Sequence, residues 1–181
     1  KPLIRFGLRR ELAGVSSVDE LQGVIERKYV DHVVQGTTSK LTFSGLEHLH
    51  KGTHYLFVSN HRDITMDPTF LNYVLFHNGF STARIAIGDN LLTKAYVSDL
   101  MRLNKCFIVT RSPQGMRAAF TAYKKLSAYI RYSISEENTN VWIAQREGRA
   151  KDGCDRTEPA IIKMLAMNQR EDETFSDTIN D

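Results

Sequence analysis

The sequence predicts an α/β domain in which a mostly parallel central sheet is flanked by helices. Three observations carry that expectation. Short β-rich runs alternate along the chain with segments of helical periodicity. Several of those runs are followed at once by polar or charged clusters, the pattern of strand ends that open toward helices. The chain has 181 residues, 41% hydrophobic and 25% charged, enough to bury a real core and too ordinary for a disordered, collagen-like or disulfide-stapled chain. No repeat, low-complexity tract or Pro/Gly/Ser-rich linker divides it, so residues 1–181 read as a single domain with an acidic tail over 171–181.

Each element has a local argument. Lys1 to Arg10 mix Leu3, Ile4, Phe6 and Leu8 with Lys1, Arg5, Arg9 and Arg10 and lack the pattern of a signal peptide. They suit either an arm packed on the domain or a segment resting on anionic lipid. Ser17 with Glu20 three residues later makes a capping box, and Val18, Leu21, Ile25, Tyr29 and Val33 then recur at helical spacing up to Gly36. Leu41–Ser44 and Tyr55–Ser59 read as short strands separated by Gly45 and Gly52. A helix over Pro68–His77 ends at Gly79, a strand covers Ala83–Ile87, and a helix covers Leu91–Leu103. Cys106–Thr110 reads as a strand, Pro113–Tyr132 as a long helix and Val141–Ala144 as a buried strand. Thr157 caps a last helix over Glu158–Met167.

Charge and cysteine content narrow the setting. The formal net charge is +3, but residues 1–170 carry 24 Lys and Arg against 16 Asp and Glu, or +8, because the tail is purely acidic. A basic body prefers anionic partners: phosphorylated metabolites, nucleic acid or an acidic membrane surface. Cys106 and Cys154 are too few for a disulfide framework, which points to a reducing compartment. The longest stretch free of charged residues, Pro68–Ala83, has 16 residues and reads as a buried helix and turn rather than a membrane span.

Three strand ends gather polar groups: Ser59-Asn60-His61-Arg62, Thr110-Arg111-Ser112, and Gln145-Arg146-Glu147-Gly148-Arg149. A histidine beside a carboxylate makes a general base near neutral pH, because the carboxylate fixes the ring tautomer and stabilises the imidazolium. His61 with Asp67 is such a pair, and Asp63 is a second carboxylate candidate. Taken singly, Asp67 before Pro68 is also a natural helix start.

Val58-Ser-Asn-His-Arg-Asp-Ile-Thr-Met-Asp-Pro68 resembles the first motif of the glycerolipid acyltransferases, the lysophosphatidic acid and glycerol-3-phosphate acyltransferase family. Phe107-Ile-Val-Thr-Arg111 is similar to that family's second motif, and Trp142-Ile-Ala-Gln-Arg-Glu-Gly-Arg149 with Asp152-Gly153 to its third. The ordered set spans about residues 40 to 165 and is more specific than any one motif. Five residues separate His61 from Asp67 where the family usually has four, a difference a loop before a helix absorbs, so Asp67 is preferred and Asp63 held in reserve. Arg146 and Arg149 stand where the family has proline and threonine around Glu-Gly, and no fourth motif precedes the acidic tail, as expected of a truncated or divergent member.

The resemblance implies transfer of a fatty acyl group from acyl-CoA or acyl-carrier protein to a hydroxyl of glycerol phosphate or lysophosphatidate in phospholipid synthesis. It implies His61 as the base with Asp67 as its partner, and Arg111, Glu147, Gly148 and Arg149 as acceptor-binding residues. Arg62 is held for either catalysis or phosphate binding. No metal or other cofactor is expected. The expected partners are the thioester donor, the phosphorylated acceptor and an anionic membrane surface, with no nucleic acid, and the expected setting is cytoplasmic at the inner face of a membrane. Two other classes compete. His48, His50, His54 and His61 suggest a zinc hydrolase. Tyr123, Lys124, Lys125, Tyr129, Arg131 and Tyr132 suggest a nucleic-acid-binding module, although their near-helical spacing favours core packing.

Overall fold

In the computed structural model, residues 2–92, 94–111, 113–146 and 156–180 are described. Four short strands, β1 (Leu56–Ser59), β2 (Arg84–Gly88), β3 (Cys106–Val109) and β4 (Val141–Ala144), form one all-parallel sheet in the order β1-β4-β2-β3. Register sets Ser59 opposite Ala144 and Gly88 opposite Val109, so the strands' C-terminal ends lie along one edge. That edge is where the three polar clusters emerge.

Helices cover both faces, as parallel strands require. They are α1 (Pro2–Glu11), α2 (Val18–Ile25), α3 (Asp31–Thr37), α4 (Met66–His77), α5 (Ala95–Leu103), α6 (Met116–Ser135), α7 (Pro159–Leu165) and α8 (Phe175–Asn180). The side chains of β4 alternate between two cores, as a two-residue period dictates. Trp142 joins Leu75 of α4, Ala83 and Ile85 on one face, while Val141 and Ile143 join Ile130 of α6 and Ile161 and Met164 of α7 on the other. Asn72 of α4, 3% exposed, pins the entry to β2: its Oδ1 accepts from the Ala83 N–H at 2.8 Å and its Nδ2 donates to the Ala83 carbonyl at 3.3 Å. Among the described residues no helix is long and apolar enough to cross a membrane.

The capping box opens α2 as expected: the Ser17 hydroxyl accepts from the Glu20 N–H at 3.1 Å. The Glu20 carboxylate reaches back one residue further, accepting from the Ser16 N–H at 2.7 Å, and these bonds hold it below the usual carboxylate range. A π-helical segment, Glu26–Val30, joins α2 to α3, so the first helical stretch is continuous but bulged.

Several boundaries differ from the sequence reading. Leu41–Ser44 forms no strand; it pairs with none of the four, and Phe43 is exposed. α4 begins at Met66 because Asp63 caps the preceding turn. The helix expected over 91–103 is a 3-10 turn, Asp89–Leu91, followed by α5. α6 starts at Met116 rather than Pro113 because Gly115, at φ 88 and ψ 164, turns the chain out of helical conformation. The cap of α7 is Glu158, not Thr157; its carboxylate accepts from the Ala160 N–H at 3.3 Å. The acidic tail is docked in part: Glu173 pairs with Arg131 of α6, which lowers the Glu173 carboxyl to about 2.

Candidate active site

The site begins where β1 ends. His61, whose side chain is 10% exposed, lies edge-on to Trp142 with ring centroids 5.9 Å apart. Its Nδ1 is 2.9 Å from Asp67 Oδ2. That carboxylate oxygen also accepts from the backbone N–H groups of Arg62 at 2.6 Å and Asp63 at 3.0 Å. With Nδ1–H donated to Asp67, the ring's other nitrogen, Nε2, is the proton acceptor.

The same turn separates the two carboxylates considered for His61. Asp63 Oδ1 accepts from the N–H groups of Thr65 at 2.9 Å and Met66 at 2.8 Å, capping α4. Asp67, in the first turn of that helix, is the one whose bond to the ring is defined. The turn over 62–65 brings Asp67 back to His61. Arg62 is exposed beside the pair.

At the end of β4, Gln145 ties three segments together. Its N–H donates to the Ser59 carbonyl at 2.9 Å, its Oε1 accepts from the Glu158 N–H at 3.0 Å, and its Nε2 donates to the Arg156 carbonyl at 3.0 Å and to Asn60 Oδ1. Arg146 follows it and is exposed. Glu147, Gly148 and Arg149 lie outside the described residues, as does Cys154.

Beyond β3, the Arg111 N–H donates to Asp89 Oδ1 at 3.4 Å. Its side chain lies across Gly88: a Cβ at that position would sit 2.0 Å from Arg111 Nε. Glycine here makes room for the guanidinium stem. Its backbone, at φ −72 and ψ 143, is one that any residue adopts.

A cavity of about 580 Å³ opens on the α6/α7 face at the same sheet edge. Val109, Tyr123, Leu126, Ile143, Ile161 and Met164 give it apolar walls, and Arg111, Gln145, Arg146, Glu158 and Lys163 add polar groups. This is the size and character of a small-molecule compartment. His61 and Asp67 are not among its lining residues; their ring contact is with Trp142, on the α4 face. The pair and Arg111 thus sit at opposite edges of the sheet, three strand spacings or about 14 Å apart between strand axes.

Gly88 and Gln145 were not legible as functional residues. The only signal was their place directly after apolar runs, Ile85-Ala-Ile and Val141-Trp-Ile-Ala. Burial pushes the Cys106 thiol up to about 11, so it is a poor nucleophile. Of the histidines considered as zinc ligands, His48 is exposed beside Glu47 and His61 is bonded to Asp67. Among the described residues no three His, Cys, Asp or Glu side chains come together as a ligand set. Of the aromatics considered for base stacking, Tyr129 packs on Phe107 with centroids 4.9 Å apart.

The family model described as Acyltransferase matches residues 40–159, a span that includes all four strands and the His61/Asp67 turn. No curated protein and no solved structure matches the chain.

Proposed function

The chain belongs to the Acyltransferase family, and from that premise we propose that it moves a fatty acyl group from a thioester, acyl-CoA or acyl-carrier protein, to a hydroxyl of glycerol phosphate or lysophosphatidate. The observation that supports this most is the 2.9 Å contact between His61 and Asp67, with the carboxylate held by two backbone N–H groups. His61 Nε2 takes the hydroxyl proton as the acceptor oxygen attacks the thioester carbonyl carbon. The carbon–sulfur bond then breaks, and the departing thiolate receives that proton from the imidazolium. Asp67 holds the ring's orientation and stabilises its charged form. No acyl-enzyme intermediate and no metal or other cofactor enters this reading.

Arg111, seated over Gly88 at the cavity, takes the acceptor phosphate, since a guanidinium bonds phosphate bidentately and does not lose its charge. Glu147, Gly148 and Arg149 share acceptor binding on the strength of their motif, and Arg62, exposed next to His61 in sequence, serves either catalysis or phosphate binding. The apolar cavity holds an acyl chain. We place the enzyme at the cytoplasmic face of an anionic membrane, where phospholipid synthesis finds its acceptors.

Thiol release with an acyl thioester and a phosphorylated acceptor tests the reading directly. His61→Ala is expected to lower kcat by about 10²–10⁴-fold while the melting temperature is kept. Full activity in that folded variant sinks the assignment, and equal use of a non-phosphorylated acceptor by the wild type removes the phosphate role of Arg111.

A further inference from the structure

The longest helix leaves half of its core-facing stripe uncovered. In α6, residues 116, 120, 123, 127, 130 and 134 recur at three- and four-residue spacing and share one face. The C-terminal half of that stripe is covered: Ser127 and Ile130 are buried, and Ile134 packs against the core that Ile130 shares with Val141 and Ile161. The N-terminal half is bare, with Met116 91% exposed, Phe120 60% and Tyr123 41%. Tyr123 is also a wall of the cavity, so the bare stripe runs outward from the cavity along about 10 Å of helix.

Its electrostatic setting is one-sided. Residues 100–135 contain seven Lys and Arg and no Asp or Glu. Arg117 and Lys124 flank the bare stripe one residue to its side, and among the described residues neither forms an ion pair. Arg131, further along that flank, is bound by Glu173. A second exposed stripe, Tyr96, Leu100 and Leu103 on α5, differs in having Asp99 on the same helix, 3.8 Å from Arg102. Large apolar side chains bordered by unneutralised cations match a surface that offers hydrocarbon below and phosphate above.

We propose that the N-terminal half of α6 docks on an anionic bilayer. Met116 and Phe120 enter the acyl-chain boundary, Arg117 and Lys124 lie on headgroup phosphates, and the cavity at Tyr123 faces lipid. The docking face is carried by exposure and charge alone. Its purpose, delivery of a lipid-borne substrate to the cavity, rests on the acyl-transfer reading.

Co-sedimentation of the full chain with phosphatidylcholine vesicles, with and without phosphatidylglycerol, tests the proposal. Binding is expected only where phosphatidylglycerol is present, and it weakens as salt is raised. The double variant Met116→Ser with Phe120→Ser should bind about tenfold more weakly or worse while keeping the salt dependence. Arg117→Glu with Lys124→Glu should weaken binding by about tenfold or more and flatten that dependence. All four positions are exposed, so the melting temperature should not change, and Tyr96→Ser with Leu100→Ser on α5 serves as the control expected to bind normally. The proposal is overturned if the wild type ignores phosphatidylglycerol, if the α6 variants bind normally, or if the α5 pair carries the loss. It is also overturned if the α6 substitutions abolish binding of an acidic carrier protein while vesicle binding persists. Turnover of a short, water-soluble thioester is read in parallel: its absence alongside normal vesicle binding leaves the docking face standing and sinks the acyl-transfer reading instead.

Discussion

Gly88→Ala separates the role of Arg111 from the integrity of the fold. The backbone at residue 88 accepts alanine without strain, at φ −72 and ψ 143. Space is what it lacks: the new methyl would lie 2.0 Å from Arg111 Nε, 2.6 Å from Arg111 Cδ and 2.5 Å from Asn90 Oδ1. Ordinary contact distance is about 3.5 Å, so the Arg111 stem must retreat by about 1 Å or more. A displacement of that size at a positioning group costs up to about 10²-fold in rate. The stability cost lies at or below the overpacking range of about 1–3 kcal/mol, because an arginine side chain can move where a core residue cannot. Steady-state thiol release at varied acceptor should therefore show KM for the phosphorylated acceptor raised about tenfold to a hundredfold, with KM for the thioester unchanged. In an Arg111→Ala background the same substitution should add nothing, since both changes act on one guanidinium. A wild-type acceptor KM in Gly88→Ala, or losses that add in the double variant, would refute the assignment of Arg111 to the acceptor.

Two further outcomes are expected. Glu26, 4% exposed with Oε2 unpartnered, is pushed up to about 7 by burial and by Asp31. A carboxyl raised in the folded state imposes no penalty below its unfolded value, one that grows between that value and about 7, and a constant one above. Glu26→Gln should thus leave the melting temperature nearly unchanged at about pH 4 and raise it at about pH 8.5, by an effect on the order of 2 kcal/mol after solvent screening. Asp67→Asn keeps an oxygen for the Arg62 and Asp63 N–H groups but loses the charge opposite the imidazolium, so kcat should fall by about 10²-fold or more with acceptor KM little changed; unaltered kcat would remove Asp67 from the reaction.

What could be read in the sequence was what is local. The capping box at Ser17, the four apolar runs that became β1, β2, β3 and β4, and the glycine stop at Gly79 each depend on neighbours within a turn or a strand. Leu41–Ser44 shows the limit: strand composition makes no strand without an edge to pair with. His61 and Asp67 could be proposed as a pair, but spacing alone could not choose between Asp67 and Asp63, because the choice depends on how residues 62–65 turn. Arg111 over Gly88 was out of reach for a different reason. Those residues meet because β2 and β3 are neighbours in register, and strand order is a property of the whole sheet. Gln145 meets Asn60, 85 positions away in sequence, for the same reason, since β1 and β4 are neighbours.

The sheet also explains how groups on its two faces can serve one reaction. Alternation carries Phe57, Ser59 and His61 to the Trp142 side and Phe107, Val109 and Arg111 to the cavity side. A substrate bound wholly within the cavity would not meet the His61 ring. Between the two edge strands, however, β4 ends in Ala144, a methyl where a larger side chain would raise a wall, and β2 ends in Gly88, whose open side takes the Arg111 stem. Ala144 both packs toward the α4-side core and lines the cavity, so the edge is low there. On the proposed reading, the acyl chain lies in the cavity, the phosphate is held near Arg111, and the thioester carbonyl and the attacking hydroxyl meet over that notch beside Asn60 and Gln145. The small residues at the ends of the two central strands are then as much a part of the site as the charged residues at its margins.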